Sequence, residues 1–233
     1  MMITFEPIGV IRSCYKEKFG IPRQAGLVSQ AEAILEMLPP YNREEAFRGL
    51  EAFSHIWVVF LFHDIDHRAR RATVRPPRLG GNKRIGVFAT RSGFRPNPIG
   101  MSAVALDGIR YVDGVLKLHL KGGDFLDDTP VLDIKPYIPY ADCLPAAGGG
   151  FAASPPEKRF DVIFSTAAEE RCRCLAGELP HLKAFITGLL QSDPRPAYYE
   201  EKPAKKRFGT RIYDFDIQWE CGDSTVHVIS IDR

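Results

Sequence analysis

Acidic residues are missing from one long stretch of this 233-residue chain. No Asp or Glu occurs from His67 to Leu106, although the chain carries 29 of them. No run of residues approaches the roughly 18 consecutive apolar positions that a membrane helix needs. The opening MMITFEPIGV is too short for a signal peptide, and Glu6 interrupts it. Cysteine is scarce as well: Cys14, Cys143, Cys172, Cys174 and Cys221 are odd in number and scattered. Only Cys172 and Cys174 are close, and a lone C-x-C is poor zinc spacing. Reduced thiols, no bound metal, no membrane contact and a cytoplasmic location are therefore expected. No H-E-x-x-H and no G-x-G-x-x-G occurs, and Gly80-Gly81 is not followed by the G-K-[ST] of a phosphate loop. A zinc protease, a Rossmann dinucleotide site and a P-loop nucleotidase are all disfavoured.

What fills the acid-free stretch is arginine and lysine. Arg68, Arg70, Arg71, Arg75, Arg78, Lys83, Arg84, Arg91 and Arg95 lie there, nine of the 31 basic residues in a chain of net charge +2. A nearly neutral protein that collects its cations in one segment builds a local positive field suited to an anionic partner, RNA above all. The bland alternative is a solvated loop kept soluble by charge.

Hydrophobic content of 45% is enough for a substantial core. Residues 3–11, 31–38, 84–89, 101–111 and 131–134 read as strands, and the apolar run 56–62 as a buried one. Asp113-Gly114 between two β-type runs is a hairpin signal. Residues 42–53 read as a short helix, with Asn42 as N-cap and Glu45 at capping-box spacing. Residues 63–83 read as a long exposed loop. Short strands without regular βα alternation indicate a mainly β protein, a barrel over residues 1–145. The segment PAAGGGFAASPP has linker composition, so residues 146–157 are taken as a linker. A small α+β domain then occupies 158–233, with helix over 167–190 interrupted near Pro180 and a hairpin of 211–220 with 226–231.

The densest chemical signal is ATRSGFRPNPIGMS at 89–102, where arginines, glycines, prolines and an asparagine follow a strand. Arginine forks match carboxylates or phosphates, glycine admits close backbone approach and proline stiffens the loop. GIPRQAG at 20–26 is a second glycine-flanked loop with Arg23 and Gln24. Together, RQAG at 23–26, FSHIWV at 53–58, RIGVFATRSGFRPNPIG at 84–100 and DDTPVLDIKPYIPYAD at 127–142 resemble the TrmO (TsaA-like) family of tRNA methyltransferases. DPRPAY at 193–198 and FGTRIYDFDIQW at 208–219 resemble the extra domain of its bacterial members.

That resemblance implies a β-barrel binding S-adenosylmethionine, a homodimer with the cofactor near the subunit interface, and methylation of N6 of threonylcarbamoyladenosine at tRNA position 37, in the anticodon loop. It places cofactor contacts at Pro22, Arg23, Gln24, His55, Ile56, Arg91, Met101, Val131, Leu132, Asp133 and Ile134. Asp133, Lys135 and Tyr137, next to the cofactor motif, are the candidates for catalysis. RNA contacts are expected from Arg68, Arg70, Arg71, Arg75 and Arg78, and from Lys205, Lys206 and Arg207 beside aromatic residues. Two other readings stand beside this one: a non-catalytic RNA-binding barrel, and a small-molecule methyltransferase on the same scaffold.

Overall fold

The computed structural model describes residues 3–66, 71–195 and 207–233. Six strands close into a barrel. They are β1 (Gly9–Ser13), β2 (Glu32–Met37), β3 (His55–Leu61), β6 (Ile99–Val112), β7 (Val115–Lys121) and β8 (Thr129–Pro136), in the order β1-β2-β7-β6-β3-β8. Between β3 and β6 a two-stranded ribbon, β4 (Thr73–Val74) with β5 (Ile85–Gly86), occupies part of the expected long loop. The mainly β architecture expected from the sequence is the one observed.

Alternation explains the barrel interior. In β3 the residues Ile56, Val58 and Phe60 point inward, and so do Leu116, Leu118 and Leu120 in β7. With Ile11, Leu35, Val104 and Val131 they fill the barrel, as side chains do in narrow barrels. Closure depends on β6, the longest strand. Its residues 99–105 ladder with β3, its residues 105–112 ladder with β7, and the register shifts between Leu106 and Gly108. Such a bulge lets one strand bend around a corner and serve two neighbours. Asp113 and Gly114 both adopt positive φ, 53° and 78°, in the tight turn that joins β6 to β7.

Several local expectations are corrected. The first strand begins at Gly9, not at residue 3, and residues 42–53 form no α-helix. They make two 3₁₀ turns, Glu44–Phe47 and Leu50–Ala52, separated by Gly49 at φ 89°. The left-handed glycine stops helical hydrogen bonding, and Asn42 caps nothing: its amide donates to the Gly114 carbonyl at 3.4 Å. The expected strand 84–89 shrinks to β5 and a 3₁₀ turn at Val87–Ala89.

After a short helix α1 (Pro139–Asp142), the chain adds β9 (Asp161–Phe164), α2 (Thr166–Cys174), α3 (Leu182–Gln191), β10 (Arg207–Ile212), β11 (Phe215–Cys221) and β12 (Thr225–Asp232). The helical stretch is thus two helices, with Ser165 capping the first by accepting from the Ala168 N–H at 3.1 Å. Strands β10, β11 and β12 form a meander, and β9, absent from the sequence reading, adds to it in parallel.

The second core is not made of C-terminal residues alone. Cys14, Tyr15, Val28 and Ala31 pack into the cluster of Phe185, Ile186, Phe215 and Trp219. Tyr15 bridges to Leu126 on one side and to Ile212 on the other. The Cys14 carbonyl accepts from the Tyr213 N–H at 2.7 Å, and Glu17 accepts from the Arg211 N–H at 2.9 Å. Residues 14–31 are therefore held from both sides. Among the described residues no helix is long and apolar enough to cross a membrane.

One glycine carries a specific packing role. A Cβ placed on Gly100 of β6 would stand 2.3–2.8 Å from three ring carbons of Phe60, its cross-strand neighbour on β3. Gly100→Ala should therefore push Phe60 off its contacts with Phe62 and Phe125. Urea unfolding should show a loss of about 1–3 kcal/mol; an unchanged midpoint would show that the ring can move aside freely.

Candidate functional site

A cleft of about 490 Å³ opens at one end of the barrel. Four pieces of chain build it: the 18–24 loop, the end of β3 with His63 to Ile65, the 91–102 stretch running into β6, and the connection from β7 to β8. Its wall is apolar at Phe60, Phe62, Ile99, Met101 and Leu126, and polar at Arg23, Gln24, Arg91, Arg95, Asn97, Ser102, Asp124 and Thr129. This mixture, in a volume between about 300 and 1,000 Å³, is typical of a site for a small organic ligand.

Backbone hydrogen bonds hold the pieces together. The Gly26 N–H donates to the Gly122 carbonyl, and the Gly122 N–H donates to the Ala31 carbonyl, both at 2.8 Å. They tie the glycine-flanked loop to the segment leaving β7. Across the mouth, Arg91 Nη1 donates to Gln24 Oε1 at 2.5 Å, linking the two loops singled out by sequence. The Arg95 guanidinium turns back onto the Thr90 carbonyl at 3.2 Å and stiffens the signature loop. The Arg23 guanidinium reaches the Arg195 carbonyl at 3.4 Å, so the C-terminal part also meets this loop.

The residues named from sequence fall into three places. Pro22, Arg23, Gln24, Arg91 and Met101 line the cleft. Ile56 and Val131 are wholly buried in the barrel core, so a ligand could meet only their backbone. His55, Leu132, Asp133 and Ile134 belong to β3 and β8 outside the cleft lining. Cross-strand register sets Met101, Val59 and Asp133 in one row and Ala103, Trp57 and Lys135 in the next. Met101, 53% exposed, is where the outer barrel face meets the cleft. Among the described residues the ladder of β8 with β1 ends at Val131, so 132–134 continue paired to β3.

The three catalytic candidates sit on this outer face. Lys135 Nζ lies 2.8 Å from Asp133 Oδ2, and Asp133 also accepts from the Ile134 N–H at 2.9 Å. Tyr137 stacks obliquely near His55 and Trp57, with ring centroids 6.3 and 5.7 Å away. None of the three lines the cleft. Of the expected RNA contacts, Arg71 covers the face of Phe94 at 4.9 Å, Arg75 is exposed, and Arg78 donates to the Ser154 carbonyl. Arg207 is exposed at the start of β10, whereas Arg68, Arg70, Lys205 and Lys206 lie outside the described residues.

Sequence reading missed Asp124. Its carboxylate accepts from Ser102 Oγ at 2.6 Å within the cleft. Burial pushes its pKa above the ordinary aspartate range; the Ser102 hydroxyl, the N–H groups of Asp124 itself and Ala25, and the nearby Arg91 offset this only in part. A carboxyl with a raised native pKa binds its proton more tightly folded than unfolded. Native stability therefore falls as pH rises from the unfolded value, about 3.9, towards the raised one. Asp124→Asn should accordingly raise the melting temperature at pH 7.5, and the gain should fade below about pH 3 where both side chains are neutral. A lower melting temperature at pH 7.5, measured by differential scanning calorimetry, would contradict this.

Comparison with known proteins gives the fold and cleft a context. The family model described as tRNA-methyltransferase O N-terminal domain matches residues 10–143, and that of the TrmO C-terminal domain matches residues 157–233. The tRNA (adenine(37)-N6)-methyltransferase of Escherichia coli (strain K12) is 48% identical over 229 residues, covering 98% of this chain and 97% of the relative. A putative S-adenosylmethionine-dependent methyltransferase, RcsF, of Pseudomonas aeruginosa is 47% identical over 220 residues, 94% of this chain and 93% of its own. The crystal structure of TrmO from Pseudomonas aeruginosa superposes with a TM-score of 0.82 at 38% identity, covering 100% of this chain and 99% of that one. With both halves matched in order and the whole length aligned, the chain belongs to the tRNA-methyltransferase O family.

Proposed function

We propose that the chain transfers a methyl group from S-adenosylmethionine to N6 of threonylcarbamoyladenosine at position 37 of tRNA. The observation that carries this reading is the cleft joining two arginine-bearing loops at the barrel end, in a chain that aligns end to end with a tRNA (adenine(37)-N6)-methyltransferase. S-adenosylmethionine supplies a methyl group on a sulfonium, transferable in an in-line displacement.

The residues present suit that group. Its methionine part is a zwitterion and its adenosine part is aromatic. Arg23 and Arg91 offer forked donors for a carboxylate, while Phe60, Phe62, Ile99 and Met101 give apolar surface for the remainder. The backbone of 131–134, with His55 and Ile56, completes the proposed cofactor contacts. Catalysis by these residues is mostly positioning, since holding two reactants in line replaces a bimolecular encounter.

The basic ribbon and loop carrying Arg71, Arg75 and Arg78, together with Arg207, and with Arg68, Arg70, Lys205 and Lys206 outside the described residues, are the proposed contacts to the tRNA anticodon loop. Acting on tRNA, the protein works in the cytoplasm. The outer barrel face supports a homodimer: Trp57, Val59 and Ala103 lie together there, next to the exposed Met101. A second copy on this face would sit beside the cleft.

Isothermal calorimetry should detect S-adenosylmethionine binding, and Arg91→Ala should weaken it by roughly 1–3 kcal/mol; an unaltered dissociation constant removes Arg91 from the site. Nucleoside mass spectrometry of tRNA treated with the protein should show a methyl group only on threonylcarbamoyladenosine. Equal methylation of unmodified tRNA would refute the proposed substrate. Light scattering should give twice the chain mass, and Trp57→Arg should return it to one chain; a monomer in both rules out the dimer.

A further inference from the structure

The connection from β7 to β8 and β8 itself carry four aspartates within ten residues: Asp124, Asp127, Asp128 and Asp133. Three of them face cations. Asp127 pairs with Lys16 at 2.7 Å and accepts from the Ser13 N–H, Asp128 pairs with Arg12, and Asp133 pairs with Lys135. Asp124 differs. Its hydrogen bonds come from a hydroxyl and from backbone N–H groups, and among the described residues no cation lies within ion-pair distance of it. A carboxylate held by a hydroxyl and backbone N–H groups, away from water, favours its protonated form.

Position adds to this. Asp64, the other acid on the cleft wall, is exposed and pairs with Lys18 at 3.0 Å. Asp124 is better shielded from solvent and is hydrogen-bonded to the buried Ser102 of the cleft wall. The backbone before it is fixed by the Gly122 hydrogen bonds to Gly26 and Ala31. Gly123 lies against the Phe125 ring, where a Cβ would stand 2.7 Å from a ring carbon. The carboxylate is thus held in place from its backbone outward.

We infer that Asp124 is the proton acceptor of the methyl transfer, taking the N6 proton of the target adenosine while Ser102 orients its carboxylate. The inference rests on the methyl-transfer reading above. In the step, the bond from N6 to the methyl carbon forms as the bond from that carbon to sulfur breaks. The bonding pair stays on sulfur, which becomes a neutral thioether, and the N6 proton passes to an Asp124 oxygen. The carbamoyl group on N6 withdraws electrons and acidifies that proton, so a carboxylate is a sufficient base, and one with a raised pKa is a better one.

The alternative role for a carboxylate here is an anchor for the ammonium of the methionine part, and the two separate cleanly. The full-length protein and its Asp124→Asn, Ser102→Ala and His63→Gln variants, the last removing the imidazole on the cleft wall, should be compared on threonylcarbamoyl-modified tRNA. Asp124→Asn should bind S-adenosylmethionine within about twofold of wild type by calorimetry. Its single-turnover methylation should fall by about 10²–10⁴-fold, the range for losing a general base. The wild-type rate should climb with pH along a limb that Asp124→Asn lacks. Ser102→Ala should keep cofactor affinity and slow methylation about tenfold, a loss of about 1.4 kcal/mol in transition-state stabilisation.

A parallel loss of cofactor affinity and rate in Asp124→Asn would overturn the assignment in favour of the anchor. A rate within threefold of wild type, or a larger collapse in His63→Gln, would also overturn it, without favouring the anchor. If Asp124→Asn does not fold, the Ser102→Ala rate and the wild-type pH profile decide alone. A wild-type protein that methylates no tRNA would instead sink the methyl-transfer reading.

Discussion

Two hydrogen bonds at Gly122, one accepted from Gly26 and one donated to Ala31, fix the geometry on which the cleft depends. They lash the glycine-flanked loop to the exit of β7. Without them Gln24 would not stand opposite Arg91, and Asp124 would not share their cleft. Each is an ordinary backbone bond worth about 1 kcal/mol net. Their importance lies in register: they decide which side chains share a space.

Electrostatics within that space is mixed. Arginines and apolar rings share its wall with one shielded carboxylate, Asp124, that has no ion-pair partner among the described residues. Keeping such a carboxylate costs stability, a common trade at functional sites. Elsewhere in the same stretch of chain the protein neutralises its acids with Lys16, Arg12 and Lys135. The contrast within ten residues is local design by packing, not by composition.

Much of this is legible in the sequence. The run at 56–62, the Asp113-Gly114 turn and the two loops at 20–26 and 89–102 each carry a local physical signature, and each appears in the structure where it was expected. Residues 42–53 misled because capping-box spacing is satisfied in the sequence while Gly49 adopts a left-handed conformation that no short-range pattern announces. Asp124 could not be singled out for a related reason. Its neighbours Asp127 and Asp128 look alike on paper, and only long-range packing shows which of them meets a cation. Asp133, Lys135 and Tyr137 lie near the cofactor motif in sequence, and strand alternation carries them to the outer face of the barrel.

The sharing of residues 14–31 between two cores also has a consequence for synthesis. A ribosome delivers the barrel strands first. Tyr15, Val28 and Ala31 then wait without their partners until Phe215, Trp219 and their neighbours emerge. The nascent barrel carries an apolar seam alongside the very loop that frames the cleft, and such uncovered surface is the usual source of misassembly in chains made domain by domain. The C-terminal strands therefore cover apolar surface that the barrel and its cleft-framing loop would otherwise leave open.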